Sequence, residues 1–506
     1  MKVQKHSFYD IVVIGGGPAG STLSTLLVRK GYSVLLLERE KFPRFHVGES
    51  LLPATQLIWE KLGIAEPMQH FGNTFKYGGE IRIGLDPSKS DCEASAIRFN
   101  HLPTSMLQDR PYAYQVERSQ FDHFLLNHAR ENGVTVYEET VVKEIIWEGD
   151  KATGVRWKTK DGVEYVTKAG CVSDCSGRHA FIARERKFLV PDKTIKTSAV
   201  FGHFKHVTRE NGLRQGFIHT YFFENGWIWF IPLHSDIMSV GVVVNEPGTD
   251  WWSKHSPEQI LLTYINRYKC FRDRFEQAEQ ISKIRILRGL PYSSSRSVGD
   301  GWILVGDANF FVDPLFSSGV HVAFNTADKA AEAIHGFLQG NRNMQPFMRY
   351  EKWSRNYQFH IFTTMSLLYK MLKYRVAIEG WIRLTGKGNW DSPIERRLLT
   401  WLSGYFDKFY WALYGAWCLC FLGIQIGVVR EKLLGIPGWD THTEFCLEPP
   451  LTIPKSAEFL ENGNAAKSDP STTPVNDMNY PEHWIVPSDS LGENLPPRIH
   501  EPKLVG

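Results

Sequence analysis

A glycine-rich turn between an apolar strand and a helix is the feature that most constrains this chain. After the apolar run 9–14, Gly15-Gly16-Gly17-Pro18-Ala19-Gly20 gives the spacing GxGxxG, a helical pattern continues to Arg29, and a second strand is predicted over 33–37. Glycine lets the backbone approach a pyrophosphate, and a helix start offers free N–H groups to phosphate. Glu38 ends the second strand, where a carboxylate can accept hydrogen bonds from ribose hydroxyls. The pattern therefore predicts a βαβ unit that binds a dinucleotide.

The composition is that of an ordinary globular protein. The 506 residues carry 58 Lys and Arg against 55 Asp and Glu, and 42% of them are hydrophobic. A net charge of +3 gives no field that would favour nucleic acid as a partner, and the apolar fraction is too high for general disorder. At about 150 residues for each domain, the length predicts two to three domains.

Cysteine usage and the N-terminus indicate a reducing compartment. The seven cysteines include no CxxC pair and no His-rich spacing, so we expect neither a disulfide framework nor a metal site. Residues 1–10 are polar and run straight into a strand, so we expect no secretory segment and a cytoplasmic protein.

The run 409–429 raises the question of a membrane. It carries no formal charge between Lys408 and Arg430 and is long enough to cross a bilayer. Because it contains Trp, Tyr, three Gly and Gln425, the sequence favours a pair of apolar helices packed on the protein, with weak membrane association as the alternative.

Periodicity predicts the remaining architecture. The segments with a period of two, predicted as antiparallel strands, are 134–137, 140–148, 152–158, 163–167 and 237–244. A buried strand over 302–305 and a helix over 320–338 follow, with Gly340 as the helix stop. We expect an α/β fold in which a doubly wound nucleotide-binding domain is interleaved with an antiparallel, substrate-side sheet and followed by a helical C-terminal region.

The predicted domain boundaries follow from these segments. Residues 1–350 form the core, and the interleaved sheet comes from about 76–104 and 185–290. Residues 351–450 are predicted to be a helical region. Residues 451–506 hold many prolines beside Ser, Asn and Glu, which predicts an extended tail.

A second glycine-acid pair indicates which dinucleotide binds. Gly306 and Asp307 follow the predicted strand 302–305, far downstream of the first motif. A carboxylate there could bind the hydroxyls of a ribityl chain. Such a remote second contact suits FAD, whose flavin end extends away from the first βαβ unit.

With these motifs the sequence resembles the FAD-dependent monooxygenase and geranylgeranyl reductase superfamily. The resemblance rests on the GxGxxG turn, Glu38, Arg118, the segment 174–178 and Gly306-Asp307. It implies FAD contacts from Gly15, Gly17, Pro18, Ala19, Gly20, Glu38, Arg39, Gly48, Glu49, Ser50, Arg118, Asp174, Gly177, Gly306, Asp307 and Pro314. Since no second GxGxxG follows, the flavin is expected to be reduced by a separate flavin reductase.

The segment with two tryptophans at alternate positions is the most informative one in the sequence. In a strand, Trp227 and Trp229 lie on one face, and Ile231 and Pro232 complete the pattern WxWxIP. Core packing would account for two buried indoles. The full pattern nevertheless resembles the signature of flavin-dependent halogenases, which implies a wall that separates flavin from substrate; Phe316 is assigned to the same wall.

Residues 311–319 read as F-x-x-P-x-x-S-x-G, which resembles a second halogenase pattern in slightly shifted spacing. The helix predicted just after it would offer free N–H groups to a small anion. The resemblance implies that Ser318 and Gly319 hold chloride or bromide beside the flavin, with Ser317 in a catalytic position. The alternative is a turn that contains Pro314, followed by a helix N-cap at Ser318.

Lys76 lies among aromatic and glycine residues, downstream of a Gly-Glu-x-x-x-P segment at 48–53. An ammonium can donate a hydrogen bond to hypohalous acid or, if burial lowers its pKa, react with it. A lysine in this context resembles the catalytic lysine of the halogenases. Alone, it would be read as a solvated surface lysine.

One departure bears on the substrate. Tryptophan-type halogenases carry Glu just before the serine that corresponds to Ser317, and here that position is Phe316. The resemblance therefore favours phenols or pyrroles, free or tethered to an acyl or peptidyl carrier protein, over free tryptophan.

The sequence thus predicts an FADH2- and O2-dependent halogenase that makes hypohalous acid at the flavin and halogenates an electron-rich ring through Lys76. A hydroxylase or a prenyl reductase on the same fold, acting on an apolar substrate, is the first alternative. A membrane-associated, flavin-binding scaffold without catalysis is the second.

Overall fold

The computed structural model describes residues 4–5, 8–83, 85–90, 92–102, 110–223, 225–245, 249–372, 403–404, 422, 425–426 and 453–456. Most of the predicted helical region, nearly all of the run 409–429 and most of the proline-rich tail lie outside these residues.

The strands and longer helices of the described chain are as follows. The strands are β1 Gln4–Lys5, β2 Tyr9–Ile14, β3 Val34–Leu37, β4 Thr74–Lys76, β5 Gly78–Ile83, β6 Glu93–Arg98, β7 Ala113–Gln115, β8 Thr135–Tyr137, β9 Thr140–Glu148, β10 Lys151–Thr159, β11 Glu164–Asp174, β12 Leu189–Pro191, β13 Thr197–Lys205, β14 Ile218–Phe223, β15 Gly226–Pro232, β16 Ile237–Asn245, β17 Glu279–Gln280, β18 Arg285–Leu287, β19 Tyr292–Ser294, β20 Val298–Gly299, β21 Trp302–Leu304 and β22 Phe310–Phe311. The helices are α1 Pro18–Arg29, α2 Gln56–Leu62, α3 Ala65–Gln69, α4 Arg118–Glu131, α5 Phe181–Glu185, α6 Pro257–Arg267, α7 Lys269–Arg274, α8 Ser318–Gln339 and α9 Gln345–Leu372.

A nine-stranded sheet contains the predicted βαβ unit. Its main path is β20-β21-β11-β2-β3-β8, and the strands from β21 to β8 run parallel. The last four residues of β2 and all four of β3 are apolar and buried, as expected for parallel strands covered on both faces. Their carboxyl ends meet at one edge, which is where ligands bind in doubly wound sheets.

The prediction of antiparallel pairing for 134–137 is wrong. Strand β8 pairs parallel with β3 because α4 carries the chain across the sheet before it, and a crossover returns a strand in the same direction. Alternation in the sequence cannot distinguish the two directions. The next three strands, β9, β10 and β11, do pair antiparallel as predicted, although β11 runs on to Asp174 and there joins the parallel strands.

An eight-stranded sheet forms the second layer. Its main path is β17-β13-β16-β15-β14-β5-β6, and β18 pairs with β13. All of its pairs are antiparallel except β14 with β5. Its strands lie within the two segments, 76–104 and 185–290, predicted for the substrate-side sheet. A separate pair, β4 with β7, carries Lys76.

Two long helices complete the described chain. Helix α8 begins at Ser318, two residues before its predicted start, and ends at Gln339, one residue after its predicted end, with Gly340 as the C-cap in the predicted stop position. Helix α9 packs against α8 and crosses the boundary predicted at 350. Within the described part of the chain, no helix combines the length and the apolar character needed to cross a membrane.

Candidate active site

A cavity of about 440 Å³ lies where the two sheets and the start of α8 meet. It brings together predicted residues from the glycine turn, the tryptophan strand, the loop before α8 and the segment 48–50, but not Lys76. Those that line it are Gly15, Gly17, Pro18, Ala19, Glu38, Arg39, Gly48, Glu49, Ser50, Arg118, Gly177, Trp227, Trp229, Ile231, Asp307, Pro314, Ser317 and Gly319. The GxGxxG turn therefore shares one continuous space with the tryptophan strand and the loop before α8.

Seven predicted residues do not line this cavity, namely Gly20, Lys76, Asp174, Pro232, Gly306, Phe316 and Ser318. Gly20 serves packing, because a β-carbon there would lie 1.9 Å from the carbonyl oxygen of Gly15. Asp174 is fully buried, and its carboxylate accepts hydrogen bonds from the main-chain N–H groups of Ser176 and Ile182. It therefore fixes the turn that presents Gly177 and makes no wall of the cavity itself.

The nucleotide end of the cavity has the features of a pyrophosphate site. Gly15 has a φ of 101°, which side-chain-bearing residues rarely adopt, and a β-carbon there would meet the carbonyl oxygen of Cys175 at 2.5 Å. Helix α1 begins with Pro18 at its first position, has no side-chain cap and has no acidic residue in its first turn. The start of α1 therefore faces the cavity with the positive end of its dipole.

Glu38 lies beside this turn at the end of β3. Its carboxylate accepts hydrogen bonds from the N–H groups of Gly16, at 2.6 Å, and Glu40, at 2.8 Å. Burial raises the pKa of Glu38, and the nearby Arg44 guanidinium opposes that shift. Each oxygen keeps a second lone pair, so the carboxylate can also accept ribose hydroxyls. Arg39 is mostly exposed, at the rim.

Arg118 acts on the cavity through its neighbours. Its guanidinium donates to both carboxylate oxygens of Asp122, at 2.8 and 2.9 Å, and to the carbonyl oxygens of Val47 and Gly48. Arg118 and Arg44 both lower the pKa of Asp122 against its burial. Asp122 and Arg44 were not among the predicted site residues, although the i,i+4 spacing of Arg118 and Asp122 on one helix was a readable signal.

A buried pair at Glu49 was also missed. The Glu49 carboxylate is hydrogen-bonded to Nε2 of His203, and both side chains are almost completely buried. Phe45 packs on the His203 ring at 5.1 Å between centroids. Since 154 residues separate the two partners, no sequence signal connects them.

Asp307 lines the cavity at the predicted position. Burial raises its pKa to about 6, while the Arg118 and Arg178 guanidinium groups oppose the shift. The main-chain N–H of the preceding Gly306 donates to Thr326 on α8, which fixes this turn against the helix.

Trp227 and Trp229 lie on one face of β15 as predicted, with ring centroids 5.7 Å apart. Both are buried in the same apolar cluster and both line the cavity. Trp227 Nε1 donates to the hydroxyl of Tyr369, at 2.9 Å, and Trp229 Nε1 donates to Ser239, at 3.2 Å. Each indole is therefore anchored by a polar partner on a different element.

The loop before α8 turns sharply at Ser317, whose φ of 55° lies in the left-handed region. Ser317 precedes the helix without a side-chain cap, so the predicted alternative of a cap made by Ser318 is wrong. Ser318 is already inside the helix and is buried, whereas Ser317 and Gly319 line the cavity. The first turn of α8 carries no acidic residue, which suits a small anion.

Lys76 is 2% exposed, so the reading of a solvated surface lysine is wrong. Its Nζ donates to the carbonyl oxygen of Leu51, at 2.8 Å, and lies 5.6 Å from the centroid of the Phe99 ring. Burial lowers the pKa of Lys76 to about 7. Lys76 does not line the cavity, but its hydrogen-bond acceptor Leu51 directly follows the cavity-lining Ser50.

The fold and the cavity together define a flavoprotein of the doubly wound class. The family model for tryptophan halogenase matches residues 10–82 and 87–401. The chain therefore belongs to the tryptophan halogenase family and is a flavin-dependent halogenase, which confirms the predicted family, enzyme class, and use of FAD and halide.

Individual relatives agree with this assignment. The chain is 34% identical over 355 residues to the 1H-pyrrole-2-carbonyl-[peptidyl-carrier protein] brominase of Pseudoalteromonas luteoviolacea, covering 69% of this chain and 83% of the relative. It is 33% identical to the tryptophan 2-halogenase of Chondromyces crocatus, covering 71% and 66%. The myxobacterial chondrochloren halogenase, an FAD-dependent enzyme, superposes with a TM-score of 0.66 at 33% identity, covering 79% and 98%.

The residues present fit FAD at this cavity. The uncapped start of α1 and the glycine turn suit the pyrophosphate, and Glu38 suits the ribose. Asp307 follows β21 at the same carboxyl edge of the parallel strands and lines the cavity, where its carboxylate would suit the ribityl chain. The tryptophan strand and the start of α8 are then left for the flavin end.

Proposed function

We propose that this halogenase makes hypohalous acid on the flavin side of the Trp227–Trp229 wall and halogenates an electron-rich ring through Lys76. The single observation that carries the proposal is the burial of Lys76 at the back of the cavity-lining segment. Among the described residues no carboxylate pairs with Lys76, and a buried lysine without such a partner is unfavourable for folding, so its presence calls for a functional reason.

The roles of the other residues follow from their positions. When bound, reduced FAD and O2 supply the oxidant that converts halide to hypohalous acid. The start of α8, at Ser317 and Gly319, places halide at the positive end of a helix dipole. The two indoles exclude water and keep the substrate away from the flavin. Lys76 then presents the halogen either as an ammonium donor or as an amine, because a pKa of about 7 leaves both forms available near neutral pH.

The proposed substrate is a phenol- or pyrrole-like ring that is free or tethered to a carrier protein. Two observations support this class: the similarity to a halogenase of carrier-bound pyrrole, and the presence of Phe316 where tryptophan-type enzymes carry Glu. Phe316 packs against the apolar cluster of the wall, so no carboxylate is presented from that position. A separate flavin reductase is the proposed source of reduced FAD.

The test uses the full chain with reduced FAD supplied by a flavin reductase, O2 and bromide. Mass spectrometry then looks for bromine isotope doublets across free phenols, free pyrroles, a carrier-bound pyrrole and tryptophan. We expect bromination of the phenol or pyrrole class and none of tryptophan. Lys76→Ala should lose brominated product while it still binds FAD and consumes reduced flavin. Hydroxylated products alone would overturn the proposal, and preferential bromination of tryptophan would overturn the substrate class.

A further inference from the structure

Tyr369, near the end of the described part of α9, joins the tryptophan wall to the loop before α8. Its hydroxyl accepts a hydrogen bond from Trp227 Nε1, at 2.9 Å, and donates one to Asp313 Oδ2, at 2.8 Å. All three side chains are at most 5% exposed. Neither Tyr369 nor Asp313 was among the residues predicted for the site.

The direction of this chain of hydrogen bonds is fixed by chemistry. An indole nitrogen can only donate, so the Tyr369 oxygen must accept from Trp227 and its proton must point to Asp313. Burial and the neighbouring Asp313 carboxylate raise the pKa of Tyr369 well above its ordinary value, so that proton stays in place.

Asp313 extends this series of hydrogen bonds into residues 311–319, the segment of the second halogenase pattern, which is called the halide loop below. Its Oδ1 accepts from the main-chain N–H of Leu315, at 3.0 Å, which closes the short turn Pro314–Phe316 just before Ser317. Its Oδ2 accepts from Thr197 on β13 as well, at 3.2 Å. One carboxylate thus ties together the loop, the substrate-side sheet and α9.

Thr197 allows the hydrogen bonds of Asp313 to persist when its carboxylate is protonated. Burial raises the pKa of Asp313 to about 7, and Tyr369 is the titratable group that faces it among its described partners. A proton on Oδ2 can be donated to Thr197, because a hydroxyl can turn from donor to acceptor. Tyr369 can keep its direction in both states of Asp313.

We propose that Tyr369 and Asp313 are positioning residues that set the Trp227 indole and the halide loop against each other. This inference rests on the proposed function of that wall and that loop. It predicts that loss of the Tyr369 hydroxyl weakens use of halide more than binding of FAD, because the nucleotide end of the cavity is built from other elements and only the flavin end meets this wall and this loop.

Tyr350 provides a matched control on the same helix. It is 4% exposed against 5% for Tyr369, and its hydroxyl donates a 2.8 Å hydrogen bond to the carbonyl oxygen of Leu304. Tyr350→Phe and Tyr369→Phe therefore each remove one hydroxyl from a buried site on α9. Only Tyr369→Phe breaks the connection between Trp227 and Asp313.

The first measurement uses the protein without FAD. Ultraviolet resonance Raman difference spectra report the hydrogen bond at an indole N–H. Tyr369→Phe should show the loss of one such bond, and the difference should vanish when the same change is made in a Trp227→Phe background. Tyr350→Phe should leave the indole N–H signal unchanged. An unchanged indole signal in Tyr369→Phe would overturn the link.

The second measurement is steady-state bromination by the FAD-loaded enzyme. Tyr369→Phe should raise the KM for bromide about tenfold, the size expected for one buried hydrogen bond, and should change FAD affinity by a smaller factor. Asp313→Asn should change the KM in the same direction, because the amide has one acceptor oxygen for the donors that the carboxylate satisfies. If Tyr369→Phe and Tyr350→Phe give the same bromide KM, the inference is wrong. If the wild-type enzyme brominates no substrate, the proposed function is refuted instead. The hydrogen bond between Trp227 and Tyr369 is then tested by the Raman measurement alone.

Discussion

The side-chain nitrogen of Lys76 donates a 2.8 Å hydrogen bond to the main-chain oxygen of Leu51. This contact joins strand β4 to Leu51, which directly follows the cavity-lining segment Gly48–Ser50. Among the described residues, Lys76 is therefore held beside that segment by a main-chain oxygen, and no carboxylate is paired with it to favour its charged form.

Lys76→Met should make the protein more stable at neutral pH while it abolishes halogenation. The pKa of Lys76 is about 7 in the folded protein and 10.5 ordinarily, so between these values the unfolded chain binds more protons. Wild-type stability should therefore rise with pH across that window, on the order of 1 kcal/mol per pH unit, and the variant should lack that rise.

Denaturant unfolding of both proteins at pH 7 and pH 10 measures this difference. The stability gained by Lys76→Met should be larger at pH 7 than at pH 10. Equal gains at both pH values would show that Lys76 keeps an ordinary pKa in the folded protein.

Gly20→Ala and Gly17→Ala should have different effects, because Gly20 is needed for packing whereas Gly17 faces the cavity. A methyl group at Gly20 would lie 1.9 Å from the Gly15 carbonyl oxygen, so this variant should lose several kcal/mol of stability. At Gly17 the nearest atom to an added β-carbon is 3.6 Å away, and the residue lines the cavity. Gly17→Ala should keep its melting temperature and bind FAD more weakly, as measured by thermal unfolding and flavin fluorescence. A destabilised Gly17→Ala would contradict this division.

The nucleotide half of the site was predictable because its determinants are local. The glycine turn, the helix start and Glu38 lie within one βαβ unit, so their spacing along the sequence already indicates that they lie close together in the fold. Trp227 and Trp229 were predictable for the same reason, since alternation along one strand sets a shared face.

The long-range hydrogen-bonded pairs around the cavity were not predictable, because tertiary folding brings their members together from distant parts of the chain. Glu49 meets His203 across 154 residues, and Asp313 meets Tyr369 across 56. Neither pairing leaves a periodic trace in the sequence. The burial of Lys76 had the same origin, since the sequence placed it beside aromatic residues but could not show which strands cover it.

Arg118→Lys should weaken FAD binding by about tenfold or more. Lysine cannot reproduce the two parallel bonds to Asp122 together with those to the carbonyl oxygens of Val47 and Gly48, so the cavity-lining segment loses its tether. FAD titration followed by flavin fluorescence checks this. Arg130→Lys, on the same helix and far more exposed, should bind FAD as the wild type does. Equal affinities of the two variants would mean that Arg118 does not shape the site.

Gly241→Ala should disturb the wall by displacing Trp229. The two residues are cross-strand partners of β15 and β16, and a β-carbon at Gly241 would lie 2.2 Å from the benzene ring of the indole. Such overpacking costs about 1 to 3 kcal/mol, and here it would push an aromatic ring that lines the cavity. Trp229→Phe removes the ring atoms that collide, although it leaves a void of its own. A double-mutant cycle in denaturant unfolding should therefore show favourable coupling, with the double variant more stable than the two single losses predict. Purely additive losses would mean that Gly241 makes no special room for the indole, and that the position of Trp229 is set by Ser239 and the surrounding apolar cluster alone.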